Sequence, residues 1–512
     1  MHMASQRIAF RTDANSEIGT GHFMRCLTLA DELKKRGAEI CFVARGMPAH
    51  LTQMLQERSF VFHALPEHIS MEDMEDIEEL PHSKWLKTSQ HQDAVHTLEK
   101  LGHGFFDWII VDHYAIDQRW EAPLRVVAKK IMVIDDLADR QHDCDVLLDQ
   151  NFYHDAQMRY VGKVPQHCQV LLGPAYALLR DEFIEMRKHV KPRTGQVNNV
   201  LIFFGGVDAE NLTGMALKAL IAVNLDLHVD VVIGQQHPKI QEIESLCKSH
   251  FFACHVQTKQ MAHLMAHADL AIGAGGSSIW ERFCMGLPSI CISAADNQRQ
   301  QLADLQLEGL IISQKQNSHA IEFLSQALRV LKSGSNFQTE MSEKIYQLVD
   351  GYGASKVSHL IFSRNIEMRL ANKLDSKNLF TWRNHPTIRS NSLSANEIQL
   401  TEHEKWFDQR CGQLNHPILI GEIEKKPIGV VRFDIRENFA EVSIYLVPES
   451  GNHGLGRNLL SQAEKWLKTN HPHVVAVHAQ VLQENESSKR LFTNLHYVKH
   501  ADAAQIEFVK KL

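Results

Sequence analysis

The chain has 512 residues, of which 44% are hydrophobic and 22% charged, and its formal net charge is −7. This length exceeds what one ordinary hydrophobic core supports, so two to four domains are expected. The composition is that of a soluble globular protein. The negative net charge and the lack of a lysine or arginine tract argue against nucleic-acid binding, and no apolar run reaches the roughly 20 residues that cross a bilayer.

The N-terminal stretch and the cysteines together indicate a cellular compartment. The N-terminal stretch MHMASQRIAF lacks the apolar core of a signal peptide, and the nine cysteines are scattered without a C-x-x-C pair. We therefore predict a cytoplasmic protein with reduced thiols. His263 and His267 have the i,i+4 spacing of zinc ligands. No third ligand accompanies them, so no metal site is predicted.

Apolar strands alternate with helices in the first part of the chain. Strands are predicted at 7–10, 38–44, 107–112, 130–136 and 145–151. The first helix begins near Gly21 and ends at Gly37, where the next strand follows. This alternation predicts a parallel sheet with helices on both faces.

A polar segment with proline and glycine, 188–199, predicts a linker to a second set of the same kind. Its strands are predicted within 200–206, 229–234, 270–278, 288–293 and 309–313. We expect two Rossmann-like α/β lobes, 1–190 and 191–355, with a ligand cleft between the carboxyl ends of their strands.

The pattern changes again near residue 366. Two hairpin strands around RENF precede a glycine-rich loop, SGNHGLG (450–456), which opens a helix. A strand, a helix and two short strands finish the chain. These elements predict a third domain, of α+β class, at 366–512.

Two glycine-rich turns follow strands of the second lobe, GAGGSSIWERF (273–283) and FGGVDAEN (204–211). Their backbone N–H groups favour an anion, and Glu281 is placed to accept hydrogen bonds from a ribose. The alternative is a capping box, Ser278-x-x-Glu281, that binds nothing. Two such turns in one sheet favour a nucleotide diphosphate site.

His22 follows the IGTG turn of the first lobe, which brings the backbone close to the cleft. The helix N-terminus disfavours imidazolium, whereas a pyrophosphate would favour it, so the direction of the pKa shift stays open. His22 is either a neutral base or only the residue that opens a helix. Spacing alone does not decide between these two interpretations.

The motifs RTDANSEIGTGHFMRCLTLA, IIVDHYAID, VIDDLADRQHDCDVLLDQN, GPAYALLRDEF, LIFFGGVDAENLT and GAGGSSIWERFCMGLPSI together resemble the UDP-sugar hydrolase family of pseudaminic acid biosynthesis, over about 1–350. The resemblance implies a GT-B-like fold and an inverting, metal-independent hydrolysis. It implies that His22 positions or deprotonates the water, that amides around Gly276 hold the leaving UDP, and that Glu281 holds the ribose. It assigns further contacts with sugar or nucleotide to Asp13, Gly21, Asp112, Tyr114, Asn151, Tyr176, Arg180, Gly206, Asp208, Ser277, Ser278, Asn297 and Gln298.

The loop GNHGLG with its flanking strands, followed by NESSKRLF, resembles the Gcn5-related N-acetyltransferase family over 366–512. The resemblance implies acetyl-CoA as cosubstrate, bound by Gly451, Gly454, Leu455, Gly456, Arg457, Asn485 and Ser488. TWRNHPTIR (381–389) resembles the start of acetyltransferases that act on UDP-4-amino sugars. Many relatives carry a proton-donating tyrosine where this chain has Phe492, so the general acid is unassigned. Glu441 is the candidate base.

These resemblances together predict a bifunctional enzyme that acetylates a UDP-amino sugar and then hydrolyses the acetylated UDP-sugar. The expected partners are UDP-sugar substrates, with no nucleic acid and no membrane. Three alternatives remain: a glycosyltransferase with a fused acetyltransferase, a nucleotide-sugar sensor without turnover, and a protein N-acetyltransferase with an accessory lobe. The sequence does not indicate an oligomeric state.

Overall fold

The structure, a computed structural model, describes residues 5–15, 17–67, 80–102, 104–194, 196–314, 319–332, 336–362, 366–392, 394, 396–423, 425–448, 455–501 and 506–512. The chain divides into two compact units, Met1–Ser358 and His359–Leu512. Within the described ranges, every helix is too short or too polar to span a lipid bilayer.

The first lobe is a seven-stranded, wholly parallel sheet with strand order β3-β2-β1-β4-β5-β6-β7. Its strands are β1 (Arg7–Thr12), β2 (Glu39–Arg45), β3 (Val61–Leu65), β4 (Phe106–Asp112), β5 (Ala128–Ile134), β6 (Val146–Asp149) and β7 (Gln169–Leu172). Its helices are α1 (Gly21–Lys35), α2 (Ala49–Glu57), α3 (Gln90–Leu101), α4 (Gln118–Leu124), α5 (Ala156–Arg159) and α6 (Asp181–Arg187). The strand order reverses between β1 and β4, where such sheets open a ligand crevice.

The second lobe repeats this plan with a six-stranded parallel sheet, order β10-β9-β8-β11-β12-β13. Its strands are β8 (Asn199–Phe203), β9 (His228–Ile233), β10 (Ala253–Val256), β11 (Leu270–Ala274), β12 (Ser289–Ile292) and β13 (Ile312–Ser313). Its helices are α7 (Leu212–Val223), α8 (Ile240–Ser249), α9 (Met261–His267), α10 (Ser278–Cys284), α11 (Gln298–Leu307), α12 (Ala320–Lys332), α13 (Asn336–Leu348) and α14 (Gly353–Phe362). Here the order reverses between β8 and β11.

The core of the second lobe includes a helix that precedes the linker. Phe183 of α6 is fully buried in one cluster with Trp280 and Phe283 of α10. The side chain of Arg193, in the linker, donates to the carbonyl oxygens of Ala268 and Met265. The segment around the linker is therefore part of the packing that holds the second lobe, and not a free tether.

The C-terminal unit is a seven-stranded mixed sheet of order β14-β15-β16-β17-β18-β20-β19. Its strands are β14 (Glu367–Leu370), β15 (Ile418–Ile423), β16 (Lys426–Arg436), β17 (Phe439–Leu446), β18 (Ala476–Val481), β19 (Val498–Ala501) and β20 (Ile506–Lys511). Its helices are α15 (Ser376–Arg383), α16 (Pro386–Arg389), α17 (Leu400–Arg410), α18 (Leu455–Asn470) and α19 (Glu486–Asn494).

The β17–β18 pair is the one parallel pair of this sheet among the described strands. It is paired only where Phe439–Glu441 faces Ala476–His478. Beyond Glu441 the ladder between the two strands ends, although both strands continue. The result is a wedge in the middle of the sheet, with backbone groups of 442–446 turned toward a gap instead of a neighbouring strand.

Candidate functional site

His22 lies at the switch point of the first lobe, in the first turn of α1. Its Nδ1 is 2.5 Å from Oδ1 of Asp112, the last residue of β4. A carboxylate only accepts hydrogen bonds, so Nδ1 of His22 carries the proton of this contact and Nε2 is the nitrogen left for other partners. The pairing of β1 with β4 explains why two residues 90 positions apart in the sequence meet here.

The carboxylate of Asp112 is held ionised by its neighbours. Arg25, one turn after His22 on α1, donates to both Asp112 oxygens at 2.6 and 2.7 Å. Burial raises the pKa of the Asp112 carboxyl, but Arg25 and His22 outweigh it and hold this pKa well below its ordinary value. Asp112 therefore fixes the orientation of the imidazole and stabilises its positive charge whenever Nε2 takes a proton.

Tyr114 supports the same ring from one side. Its ring stands edge-on to His22, with centroids 4.5 Å apart at 86°. Its hydroxyl donates to Asp136 at 2.5 Å, and Asp136 also accepts from Arg25 at 3.1 Å. Burial raises the pKa of the Tyr114 hydroxyl well above its ordinary value, so the group stays protonated. Because the hydroxyl is already hydrogen-bonded to Asp136, the part of Tyr114 that remains available to a ligand is its ring.

The glycine turns of the second lobe are neighbours in space. Gly205 and Gly206 follow β8, Gly275 and Gly276 follow β11, and the two strands are paired up to Phe203 and Gly273. Gly205 has φ +108°, a conformation that favours glycine. Both turns therefore lie at the carboxyl edge of the sheet, at its switch point.

These turns approach the loop that carries His22. A Cβ on Gly21 would lie 3.8 Å from Oγ of Ser277, and a Cβ on Gly206 would lie 4.0 Å from Oγ1 of Thr20. The glycines thus let the two lobes come into near contact next to the histidine. An anion on the glycine turns of one lobe would sit beside the imidazole of the other.

The alternative of a capping box at α10 is wrong. The helix begins at Ser278, and its N-cap Ser277 makes no side-chain capping bond. The carboxylate of Glu281 instead accepts from Arg180 at 3.1 Å. Burial raises the pKa of Glu281, with Arg180 opposing. The first amides of this turn are therefore not satisfied by a Ser278–Glu281 box.

A crevice of about 340 Å³, counting space open to solvent, lies between the two lobes of the first unit. It is lined by Gly21, Met24, Arg25, Thr28, Gln150, Leu178, Leu179, Arg180, Ser277 and Glu281. Four of these were predicted from the sequence: Gly21, Arg180, Ser277 and Glu281. Arg25, Thr28 and Gln150 were missed, because nothing in their sequence context distinguishes them from ordinary helix and loop residues.

Three predicted contact residues use their polar side-chain groups in hydrogen bonds within the protein. Asp13 is 1% exposed and accepts two hydrogen bonds from Arg11. Asp208 accepts from the amides of Leu212 and Thr213 at the start of α7. The side-chain oxygen of Asn151 accepts from the indole N–H of Trp280 at 3.2 Å. In the observed geometry these three side chains act as turn caps or as buried hydrogen-bonding groups.

The remaining predicted contacts of this unit are spread around the glycine turns. Nε2 of Gln298 lies 3.5 Å from where a Cβ on Gly276 would be, and its Oε1 accepts from the amide of Ala294. Asn297 is exposed beside it, at the start of α11. Tyr176 is half-buried in a short 3₁₀ turn (Pro174–Tyr176).

In the C-terminal unit, two of the predicted cofactor residues, Gly451 and Gly454, lie outside the described residues. Leu455, Gly456 and Arg457 form the first turn of α18. Leu455 and Gly456 are half-buried and Arg457 is exposed. This turn is the described end of the predicted glycine-rich cradle.

Asn485 caps α19. Its Oδ1 accepts from the amide of Ser488 at 3.0 Å, and its Nδ2 donates to the carbonyl of Asn391 at 3.3 Å. Ser488 contributes its backbone N–H to this cap. The position of Asn485 is therefore structural, at the start of a helix that packs against α18.

The acid–base candidates of this unit differ in their surroundings. Glu441 is the last paired residue before the wedge, is 42% exposed at its side chain, and lies 3.5 Å from Arg436. Tyr497 is buried and donates to Glu464 at 2.7 Å. Phe492 is buried against Tyr497 and Phe508. Neither aromatic residue has a proton free for the wedge, so the general acid stays unassigned.

Two arginines of the C-terminal unit, Arg383 and Arg432, were not predicted as site residues. Register pairs Arg432 with Ser443 and Val430 with Tyr445, so Arg432 and Tyr445 share one face of the sheet. That face is covered by α15 and α17, and Trp382, Trp406 and Tyr445 pack against the same buried cluster there. The opposite face packs against α18. This arginine cluster, Arg383 and Arg432, lies between the sheet and its helices.

Each arginine of the cluster keeps a buried donor unused. Nη1 of Arg383 and Nε of Arg432 are buried and have no hydrogen-bond acceptor among the described residues. Nε of Arg432 is 3.9 Å from Asp434, beyond hydrogen-bond distance. Burial lowers the pKa of Arg383, and the neighbouring Arg432 lowers it further. Buried guanidinium donors are costly unless paired, so the cluster fits an anionic ligand.

Among the described residues, no cluster of three or more His, Cys, Asp or Glu side chains could hold a metal ion. His263 and His267 have rings 4.1 Å apart, and Nδ1 of His267 is hydrogen-bonded to the carbonyl of His263. The i,i+4 spacing of the two histidines therefore reflects their positions in α9.

Comparisons with known protein families match two parts of the chain. Residues 380–497 match the Acetyltransferase (GNAT) family. Residues 199–355 match the Glycosyltransferase family 28 C-terminal domain. The first match covers the wedge and the arginine cluster, and the second covers both glycine turns.

Comparisons with individual proteins extend to residues outside these two matches. The UDP-2,4-diacetamido-2,4,6-trideoxy-beta-L-altropyranose hydrolase of Campylobacter jejuni is 24% identical over 60% of this chain and 99% of its own length. Acetyltransferase PseH of the same organism is 24% identical over 27% of this chain and 86% of its own length. An uncharacterized protein of Methanocaldococcus jannaschii is 24% identical over 98% of this chain and 99% of its own. The last match spans both units in one polypeptide.

Proposed function

We propose that this chain, a fusion of a sugar-nucleotide hydrolase-like unit with an acetyltransferase of the GNAT family, performs two consecutive reactions on one UDP-sugar. The C-terminal unit acetylates the 4-amine of UDP-4-amino-4,6-dideoxy-N-acetyl-β-L-altrosamine. The first unit then hydrolyses the resulting UDP-2,4-diacetamido-2,4,6-trideoxy-β-L-altropyranose. The observation that carries the proposal is the His22–Asp112 pair, in which His22 directly follows Thr20 and Gly21, the residues of the first lobe that approach the two glycine turns of the second.

In the hydrolysis, the glycine turns hold the diphosphate and Nε2 of His22 takes a proton from water. The water oxygen attacks C1 from the side opposite UDP, the C1–O bond breaks, and UDP leaves with the electron pair, so the anomeric configuration inverts. Asp112 compensates the charge on the ring. The leaving group is stabilised by amides and needs no separate strong acid. Arg25 and Arg180 add positive charge to the crevice walls.

In the acetyl transfer, the sugar amine attacks the thioester carbonyl carbon of acetyl-CoA and the CoA thiolate leaves. The unpaired backbone of 442–446 in the wedge would hold the extended arm of the cosubstrate by hydrogen bonds, and the first turn of α18 would meet its diphosphate. Glu441 at the mouth of the wedge is the candidate for accepting the amine proton through water.

The arginine cluster supports an acceptor that carries a diphosphate. Replacing Arg432 with methionine is expected to raise the KM for the UDP-amino sugar about tenfold or more, because charge-assisted hydrogen bonds contribute roughly 1.5–3 kcal/mol. The KM for acetyl-CoA should stay within about twofold. Steady-state kinetics of CoA release, with each substrate varied in turn, measures both values.

Lys426→Met is the matched control, since it removes an exposed cation from the same strand. A variant Arg432→Met with an unchanged KM for the sugar nucleotide, or with both KM values raised equally, would contradict diphosphate binding by this cluster.

The function is tested by incubating the full chain with acetyl-CoA and UDP-4-amino-4,6-dideoxy-N-acetyl-β-L-altrosamine. Mass spectrometry should show the acetylated UDP-sugar first, and then UDP with the free diacetamido sugar. Acetylation of a peptide instead would identify a protein N-acetyltransferase. Binding of the UDP-sugar without either product would identify a sensor.

The match of 199–355 to a glycosyltransferase C-terminal domain favours one second candidate. In a glycosyltransferase, a sugar hydroxyl would replace water at C1. The products separate the two reactions: a glycoside indicates transfer, whereas a free sugar formed with one ¹⁸O atom in H₂¹⁸O indicates hydrolysis.

A further inference from the structure

Three aromatic side chains form a continuous wall beside His22. Trp85 stacks on Tyr114 with ring centroids 5.6 Å apart at 21°, and its ring lies 6.3 Å from that of His22. His82 packs against both, at 4.5 Å from Trp85 and 5.2 Å from Tyr114. We call His82, Trp85 and Tyr114 the aromatic wall. It assembles from two separate chain segments around one catalytic candidate.

The position of Trp85 is fixed by the fold. Trp85 lies in a one-turn 3₁₀ helix (Ser83–Leu86) that ends at Lys87, with φ +58°. The next side chain, Leu86, is 1% exposed and belongs to the core under the first sheet. Thr88 is buried as well. These anchors hold the indole against Tyr114 and leave it half-buried.

The wall offers ring faces, and the indole N–H of Trp85 and the ring nitrogens of His82 lie at the edges of those rings. The hydroxyl of Tyr114 is already donated to Asp136. Burial lowers the pKa of His82, so this ring is neutral at pH 7. Aromatic rings present a large apolar area, and the faces carry partial negative charge that attracts C–H groups. The faces of these rings fit an apolar ligand group.

The location of the wall indicates which part of a sugar nucleotide would meet it. Ser277 of one glycine turn and the pair Arg180–Glu281 line the crevice, on the side where the proposed function places the nucleotide. The wall belongs to the first lobe and adjoins His22, whose Nε2 must reach water at C1. The group attached through C1, the sugar, is therefore the part closest to Trp85.

We propose that Trp85 is a positioning and specificity residue of the hydrolase, contacting the apolar substituents of the sugar at His22. This inference rests on the proposed hydrolysis. The substrate of that reaction carries a C6 methyl and two acetamido methyl groups, which suit a tryptophan face. With these groups held against the wall, C1 faces the imidazole and bulk water is kept from its other sides.

The test compares Trp85→Ala, Trp85→Phe and the control Phe105→Ala. Phe105 is a half-exposed aromatic residue just before β4, at the end of that strand opposite Tyr114. Release of UDP from UDP-2,4-diacetamido-2,4,6-trideoxy-β-L-altropyranose gives kcat and KM, and inhibition by UDP gives its Ki. We expect Trp85→Ala to raise KM about tenfold or more, because buried tryptophan contacts are large binding terms. Trp85→Phe should stay within about threefold of wild type, and Ki for UDP should not change.

Equal losses of affinity for UDP and for the sugar nucleotide would overturn the proposal, as would a Trp85→Phe variant as impaired as Trp85→Ala. A second measurement separates this inference from the reaction. Calorimetric titration of the intact UDP-sugar into His22→Asn and into His22→Asn with Trp85→Ala should show about tenfold weaker binding in the double variant. Wild-type protein that binds but never releases UDP would refute the hydrolysis alone, while equal binding by both variants would refute the role of Trp85.

Discussion

Replacing His22 with asparagine is expected to lower kcat for UDP-sugar hydrolysis by about 10²–10⁴-fold, the usual contribution of a general base. Asparagine keeps a side-chain donor for the Asp112 carboxylate, so the buried ion pair of Asp112 with Arg25 should persist. What is lost is the basic Nε2 of a residue next to Gly21, which lines the crevice. Because binding of UDP depends on the glycine turns, the affinity for UDP should stay within about threefold.

The two-unit organisation supplies an internal control for this variant. Acetyl transfer by the C-terminal unit should proceed at the wild-type rate in His22→Asn, so the acetylated UDP-sugar should accumulate. The matched variant is His255→Asn. His255 lies on the edge strand β10, away from the switch point of its sheet, and its side chain is hydrogen-bonded to Asp230. Mass spectrometry quantifies the accumulated species. A His22→Asn protein that releases UDP within threefold of the wild-type rate would exclude this histidine as the base.

The fold was predictable where the strands are buried on both faces. β1, β4 and β11 read as short apolar runs, and each lies in the middle of its sheet. The strands β3, β7 and β10 were not predicted; they are edge strands with mixed polar and apolar residues and partly exposed side chains. An edge strand lacks one neighbour and needs no continuous apolar run, so periodicity gives only a weak signal there.

The site was predictable only as far as short motifs reach. His22 and both glycine turns stand out locally, and the structure brings them together. Asp112 was expected to contact the substrate, whereas in the structure its carboxylate holds the imidazole and Arg25. This partnership depends on the pairing of β1 with β4 and cannot be read from residues 87 and 90 positions apart. The arginine cluster was missed for the same reason, since its members come from α15 and β16.

The buried network around Asp93 gives the largest expected effect on stability. Asp93 is fully buried and accepts two hydrogen bonds from Arg11, at 3.0 and 2.9 Å, one from Arg45 at 2.7 Å, and one from the indole of Trp120 at 2.9 Å. Asp93→Ala would leave two buried guanidinium groups short of their acceptor. Breaking a buried ion pair from one side costs about 3–5 kcal/mol of the free energy of unfolding. For a lobe of this size, that corresponds to a fall in Tm of roughly 10 °C.

Differential scanning calorimetry tests this expectation, with Asp296→Ala as the matched control, because the Asp296 side chain is 89% exposed. The pH dependence provides a second readout. Burial raises the pKa of Asp93, but Arg11 and Arg45 outweigh it, so the pKa lies below its ordinary value of about 3.9. A lowered folded-state pKa stabilises the protein above the unfolded-state pKa, and this contribution is lost as the pH falls through the folded value. The wild-type protein should therefore lose more stability than Asp93→Ala between pH 5 and pH 3. Parallel losses in the two proteins, or a Tm of Asp93→Ala equal to that of Asp296→Ala, would contradict a stabilising role for this network.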